Sequence, residues 1–326
     1  MCWKVLVVVQ VVAVRGFLMP VGSPVKTKAA PLFAVGPPWA PPMRDSAFGV
    51  ELELLRTKGT VKEDIRRSIM AAVNEEVISP EDENARSTTK AWKIVKDCSL
   101  SRRGFELVSP ILSGHDGRHR LAAVIKRLNA DNLVESNAKC GYHVHVGLTD
   151  INFKGVRCIC QQWVKYEDGI DLLLAPSRRG NENRFCRSVR KNKELAALAN
   201  KQAKDLIGST RRIDELQDLI NPITKEDPTG RYYKLNLRTG KRNTIEFRAH
   251  GGTTDVEEIK RWINFLVSFV TNTVRDPSEK SFKDSQTPEY IFHRLFAWVA
   301  RGKTMYNFYV KRANRFRQKQ PLRRAA

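Results

Sequence analysis

Three stretches of the chain alternate apolar residues with chemically loaded polar ones at a period of two. Gly49-Val50-Glu51-Leu52-Glu53-Leu54 sets Glu51 and Glu53 on one face and Val50, Leu52 and Leu54 on the other. This is the pattern of a strand with one greasy side. Cys140-Gly141-Tyr142-His143-Val144-His145-Val146-Gly147 is a β-branched run bounded by glycines and reads as a buried strand. Its His143 and His145 point the same way, roughly 6 to 7 Å apart at the usual rise. Thr244-Ile245-Glu246-Phe247-Arg248 repeats the design with Glu246 and Arg248. Three strands that each offer two charged or ligating groups at i and i+2 look like the lining of one polar cavity. Gly104 to Pro110 predicts another strand, and its Glu106, with apolar residues on both sides, can face the same space.

Elsewhere the spacing of apolar positions changes to that of helices. Helices are predicted over Val61 to Ile78, Arg120 to Leu133, Val156 to Leu174, residues 191–207 and 210–220, Val256 to Val274 capped by Asp255, and Pro288 to Val299. Trp92 to Val95 and Arg231 to Arg238 read as further strands, the latter joined by a turn region at Thr239-Gly240 to the Glu246/Arg248 strand. Residues 79–90 read as a polar loop, and Ser177 to Cys186 as an arginine-dense one holding Arg178, Arg179 and Arg184. Arginines beside a metal cavity commonly clamp phosphates or carboxylates. Strands dispersed among helices with carboxylates on the inner face predict an α+β fold with a curved, largely antiparallel sheet.

Both ends differ in composition. Residues 1–44 combine a signal-peptide-like apolar run, Val5 to Val14, with a proline-rich linker from Pro31 to Pro42. The run is too short to span a bilayer and no small-residue cleavage site follows it closely, so it is read as a dispensable extension. The folded domain is expected over 45–300, and a basic tail over 301–326. After Ala300 the chain has nine Lys or Arg and no acid, which predicts a disordered, solubilising end. The whole chain of 326 residues carries 57 Lys and Arg against 35 Asp and Glu, a net charge of +22. That excess attracts polyanions without saying which. Nucleic acid is a conceivable partner of the tail, but the core lacks an evident interleaving of aromatics with Lys and Arg. The six cysteines contain no CxxC pair, which points away from a zinc ribbon or disulfide framework and toward reduced thiols in the cytoplasm. No membrane span is expected.

What do the polar positions imply? Glu, Glu, His, His, Glu and Arg, with no Lys among them, are not the residues of an ordinary solvent-facing strand. Hard carboxylate oxygens suit magnesium or manganese, and a histidine is tolerated by manganese or zinc. Arg248 adds a fixed donor fork for phosphate or carboxylate. The combination points to phosphoryl chemistry over bound metal. The same acids and imidazoles would also serve a metal-dependent hydrolase. A cupin-like site uses a His-x-His strand as well, but it wants a Glu a few residues later, and none follows His145 until Glu167. A basic nucleic-acid-binding module is the remaining alternative. There is no P-loop and no Gly-x-Ser-x-Gly elbow.

Six motifs in order carry a resemblance. They are Phe48 to Glu53; Trp92 through Asp97-Cys98-Ser99-Leu100; Glu106 to Pro110; Cys140 to Val146; Pro176 to Arg179 with Asn183 and Cys186; and Thr244 to Arg248. Together the chain resembles the amidoligases, carboxylate–amine ligases related to glutamine synthetase and glutamate–cysteine ligase, from about Phe48 to about Thr273. The resemblance implies a glutamine synthetase-like catalytic domain whose concave sheet face holds ATP and two or three Mg2+ or Mn2+ ions. It implies Glu51, Glu53, Glu106 and His143 as metal ligands, His145 near the nucleotide phosphates, and Glu246 on a metal that bridges them. Arg248 would neutralise the transferring phosphoryl group, with Arg178, Arg179 and Arg184 as substrate or phosphate contacts. Asp97 receives no role, and Cys98 stands where a small residue such as glycine is more usual. The implied reaction joins a carboxylate to an amine of an amino acid, peptide or protein side chain through an acyl phosphate.

Overall fold

The alternating stretches do become neighbouring strands. In a computed structural model, which describes residues 46–78, 90–97, 99–276, 283–299 and 303–318, they lie side by side at the centre of one sheet. The strands are β1 (Ala47–Arg56), β2 (Val77–Ile78), β3 (Trp92–Val95), β4 (Gly104–Val108), β5 (Leu112–Ser113), β6 (Val134–Glu135), β7 (Gly141–Gly147), β8 (Leu235–Asn236) and β9 (Thr244–Gly251). Their order is β2-β3-β4-β1-β7-β9-β8, with β5 and β6 also paired to β1. Every pairing is antiparallel except β2 with β3. The apolar run at residues 5–14, the proline-rich stretch, residues 79–89, Cys98 and the last eight residues lie outside the described residues.

Register brings the greasy positions into rows. Leu52 faces Leu107 on β4 and Tyr142 on β7, and Val144 faces Phe247 on β9. These side chains are all buried. Over them lie the helices α2 (Gly114–Ala130), α3 (Phe153–Asp171) and α6 (Val256–Arg275). Trp163 of α3 packs 5.2 Å from Phe247 and 5.8 Å from Phe269 of α6, centroid to centroid. Asp255 does cap α6, accepting from the Glu257 and Glu258 amides. The smaller helices are α1 (Lys62–Val73), α4 (Asn200–Ser209), α5 (Ile213–Ile220) and α7 (Pro288–Trp298). The result is a mixed α+β fold around a mainly antiparallel sheet. Among the described residues no helix is long and apolar enough to cross a membrane, and Cys140, Cys158, Cys160 and Cys186 are free and buried.

Several elements differ from the sequence pattern, each for a local reason. The helix expected to reach Ile78 stops at Val73, where Asn74 turns left-handed at φ 52° and Val77–Ile78 joins the sheet. The helix expected over 191–207 starts only at Asn200. Before it, the Asn192 side chain takes the amides of Glu194 and Leu195, and Arg190 takes the carbonyls of Leu195 and Leu198. Such side-chain bonds compete with the helical ladder. Of the strand expected over Arg231 to Arg238 only Leu235–Asn236 joins the sheet, while Tyr233 makes an isolated bridge to Arg187.

The basic C-terminal segment is also more ordered than its charge predicts. Lys303–Gln318 forms helix α8, with Tyr309 and Arg312 buried. Arg312 donates to the Leu173 carbonyl at 2.9 Å, pairs with Glu258 and reaches His250 Nε2 at 3.2 Å. A charge count sees the cations of this segment but not the aromatic stripe that docks it, so the expectation of a disordered end is corrected here.

Candidate active site

The sheet's other face is polar. It forms the floor of an open cavity of about 1030 Å³ lined by Glu51, Glu53, Glu106, His143, His145 and Arg248 among others. Cross-strand register explains the meeting. Glu51 lies opposite His143, Glu53 opposite Glu106, and His145 opposite Glu246. Directly paired residues on one face of an antiparallel sheet sit within about 5 Å at Cβ, so acids and imidazoles 195 positions apart in sequence become contacts.

Glu51 is the hub. Its Oε2 lies 3.6 Å from His143 Nδ1 and its Oε1 lies 3.3 Å from His145 Nε2. Glu53 faces His143 Nε2 at 3.6 Å and accepts the Gly141 amide at 2.5 Å. Glu246 is wholly buried beneath, gripped by Asn236 Nδ2 at 2.6 Å and by Arg248. Arg248 is held in turn by the Phe185 carbonyl at 3.4 Å. A bulge in β9 between Phe247 and His250 limits this row. Strict alternation would put His250 in the cavity, but the extra residue turns it to the helix side, edge-on to Tyr142 and against Trp262.

Charge is distributed unevenly over the acids. Burial opposes ionisation of Glu51, yet the His143 and His145 imidazoles win and hold its carboxyl well below the usual range. For Glu246 burial is likewise outweighed, chiefly by Arg248, and its carboxyl is held low. Glu106 goes the other way. Burial, then the charges of Glu51, Glu53 and Asp97, push it well above the ordinary carboxylate value.

Could these residues hold a metal? Two sets qualify on geometry: Glu51, His145 and Glu246, and Glu51, Glu106 and His143, each with its ligand atoms within 4.8 Å of one another. Ligands about 2.0 to 2.3 Å from one ion stand up to roughly 4.6 Å apart, so little closure is needed. His145 Nδ1 is engaged by Thr244 Oγ1 at 3.1 Å, whereas its Nε2 is buried with no hydrogen-bond partner. An imidazole fixed at one nitrogen, with the other turned toward the Glu51 and Glu246 carboxylates, is the ordinary posture of a metal ligand. The donor set fits a divalent cation.

The sequence-derived arginines divide. Arg178 is buried at the cavity edge, donating to the Cys140 carbonyl at 2.5 Å, with its Nε free of any hydrogen bond. Arg184 lines the cavity, stacked 4.6 Å over the Phe185 ring. Arg179 does not join them. Its Nε donates to the Leu174 carbonyl and its guanidinium faces Phe316 of α8, away from the cavity lining. An Arg-Arg dipeptide in a turn splays its two side chains, and only Arg178 points inward.

Other lining residues had no motif to announce them: Arg231, Tyr232, Arg238 and Arg242, together with Lys96 and Lys139. Arg242 donates to Glu51 Oε1 at 2.9 Å. The arginine loop itself is pinned from behind by two acids of α3. Glu167 accepts the Val189 and Arg190 amides, Asp171 accepts the Gly180 amide, and buried Lys234 bridges the two carboxylates.

A family model described as "Putative amidoligase enzyme" matches residues 44–270, a span that contains every strand of the polar face. No curated protein matches the chain. The matched span is most of the sequence and carries the whole Glu51 constellation, so the chain belongs to the amidoligase family.

Proposed function

We propose that the protein is an ATP-dependent carboxylate–amine ligase, working through an acyl phosphate on a sheet of the glutamine synthetase kind. The observation that carries this reading is the pair of carboxylate–imidazole clusters sharing Glu51 at the base of an arginine-walled cavity. Glu51, Glu106 and His143 would hold one Mg2+ or Mn2+ ion, with Glu53 bracing His143, and Glu51, His145 and Glu246 a second. Bound there, such ions offset the charge of phosphate oxygens.

The chain's own residues then have distinct tasks. Arg248, locked by Glu246 and the Phe185 carbonyl, presents its guanidinium to a phosphoryl group without moving. Preorganised charge of this kind stabilises a transition state at no reorganisation cost. Arg178 and Arg184 are placed to grip the phosphates or the acid. The acid's carboxylate oxygen attacks the γ-phosphorus of ATP and the bond to ADP breaks. The amine nitrogen then attacks the acyl carbon, loses its proton, and phosphate leaves. Buried free thiols and the nucleotide requirement favour a reducing, cytoplasmic setting.

The test is to incubate the protein with ATP, Mg2+ or Mn2+, and pools of amino acids and short peptides, reading ADP release and product mass. A ligase gives a product of acid plus amine minus water, and needs both substrates for turnover. Nucleotide hydrolysis indifferent to both acid and amine would instead indicate a hydrolase, and untouched ATP with every pool would refute the proposal.

A further inference from the structure

Arg242 lies on the turn between β8 and β9 and reaches back over the cavity. Its Nη1 donates to Glu51 Oε1 at 2.9 Å, across 191 residues of sequence. That same oxygen faces His145 Nε2 at 3.3 Å. Glu51 is also the acid common to both ligand sets. A guanidinium therefore competes for the carboxylate that a divalent ion held by Glu51, His145 and Glu246 would need. Two cations on one carboxylate oxygen repel strongly.

The two arginines at these acids are built differently. Arg248 is buried and locked on Glu246. The Arg242 side chain is 51% exposed and its ion pair is of the weak, solvent-screened kind. Its turn is closed by Thr239 Oγ1 donating to the Arg242 carbonyl at 2.9 Å, and Gly240 there takes φ +66° with open space around it. A turn bond thus holds the backbone while the half-exposed side chain lines the cavity.

We propose that Arg242 is an exchangeable cation. It holds Glu51 while the ion site is empty, is displaced when a divalent ion takes Glu51, and then pairs with the phosphate-bearing ligand in the cavity. The idea rests on the divalent-ion reading of the Glu51 clusters. It makes ion and nucleotide binding interdependent, with one side chain serving both.

The experiment titrates Mn2+ into the full chain, following free Mn2+ by electron paramagnetic resonance, for wild type, Arg242→Met, Arg231→Met and Glu51→Gln. Arg231→Met removes the same charge from the cavity wall without touching Glu51. Arg242→Met is expected to bind Mn2+ about five- to tenfold tighter than wild type without nucleotide, Arg231→Met by less than about twofold. At saturating Mn2+, Arg242→Met is expected to bind AMP-PNP about tenfold more weakly by calorimetry. Unchanged Mn2+ affinity in Arg242→Met, or equal tightening in Arg231→Met, would overturn the exchange while leaving the ion site standing. Wild type that binds no Mn2+, or that binds it undiminished as Glu51→Gln, would overturn the ion site and the exchange together.

Discussion

One methyl group probes how tightly the site is held. Gly141 opens β7, and a Cβ there would come within 2.7 Å of His143 Nε2 and 3.2 Å of Glu53 Oε1. Ordinary van der Waals contact begins near 3.4 Å, so Gly141→Ala must drive the imidazole aside by about 0.7 Å. His143 has nowhere easy to go, being only 4% exposed with Arg248 Nη1 3.4 Å from its Nδ1. The Gly141 amide also fixes Glu53, and β7 is bonded on both sides, to β1 and β9. Overpacking of this kind costs about 1 to 3 kcal/mol of stability. A larger effect is expected on the site, because displaced supports typically weaken metal binding by about 10- to 100-fold. The control is Gly147→Ala at the far end of the same strand, where a Cβ would meet only Ala47. Thermal melts and Mn2+ calorimetry on both variants separate the effects: both lose stability, only Gly141→Ala loses Mn2+. Wild-type Mn2+ affinity in Gly141→Ala would refute the placement of His143 and Glu53 around an ion.

Three further outcomes are expected. Glu106 titrates above its unfolded value, so its contribution in the ion-free protein is full below about pH 4.3 and is lost as pH rises through the folded value. Glu106→Gln should then melt higher than wild type at pH 8, converge with it near pH 4, and bind Mn2+ more weakly; a lower melt at pH 8 would contradict this. His250 goes the other way, because burial and then the Arg312 guanidinium hold its imidazole well below the usual value. Stability is therefore full above about pH 6.5 and falls as pH drops below it, and His250→Gln should flatten the urea-denaturation slope between pH 7 and 5. Arg312→Ala leaves Glu258 only the more exposed Arg315 at 3.9 Å and should cost about 3 to 5 kcal/mol in the same assay; a loss under about 1 kcal/mol would show that α8 is not anchored there.

The site was legible where the chemistry followed a local period. Glu51 with Glu53, His143 with His145, and Glu246 with Arg248 each share a face because side chains two apart on a strand must. Glu106 follows from the same rule, with apolar neighbours on both sides. What the alternation could not supply was register. Nothing in one strand says that Glu51 falls opposite His143 instead of one residue along. It also missed the β9 bulge, which period two cannot anticipate and which turns His250 away from the cavity. Arg242 and Asn236 went unnoticed because each sits in a turn or a two-residue strand with no repeat to flag it. Arg179 shares its motif with Arg178, yet adjacent side chains of a turn point apart. Helix boundaries failed where Asn74, Asn192 and Arg190 redirect backbone hydrogen bonds through conformations or side chains that hydrophobic spacing does not register.

The proposed ligase needs Glu51 between two divalent ions beneath a nucleotide. A crystal soaked with Mn2+ and AMP-PNP, with diffraction collected at the manganese edge, tests it most directly. Two anomalous peaks bridged by Glu51 are expected, one also on Glu106 and His143, the other on His145 and Glu246, with phosphates against Arg248. Peaks elsewhere, or none at Glu51 with nucleotide bound, would contradict it.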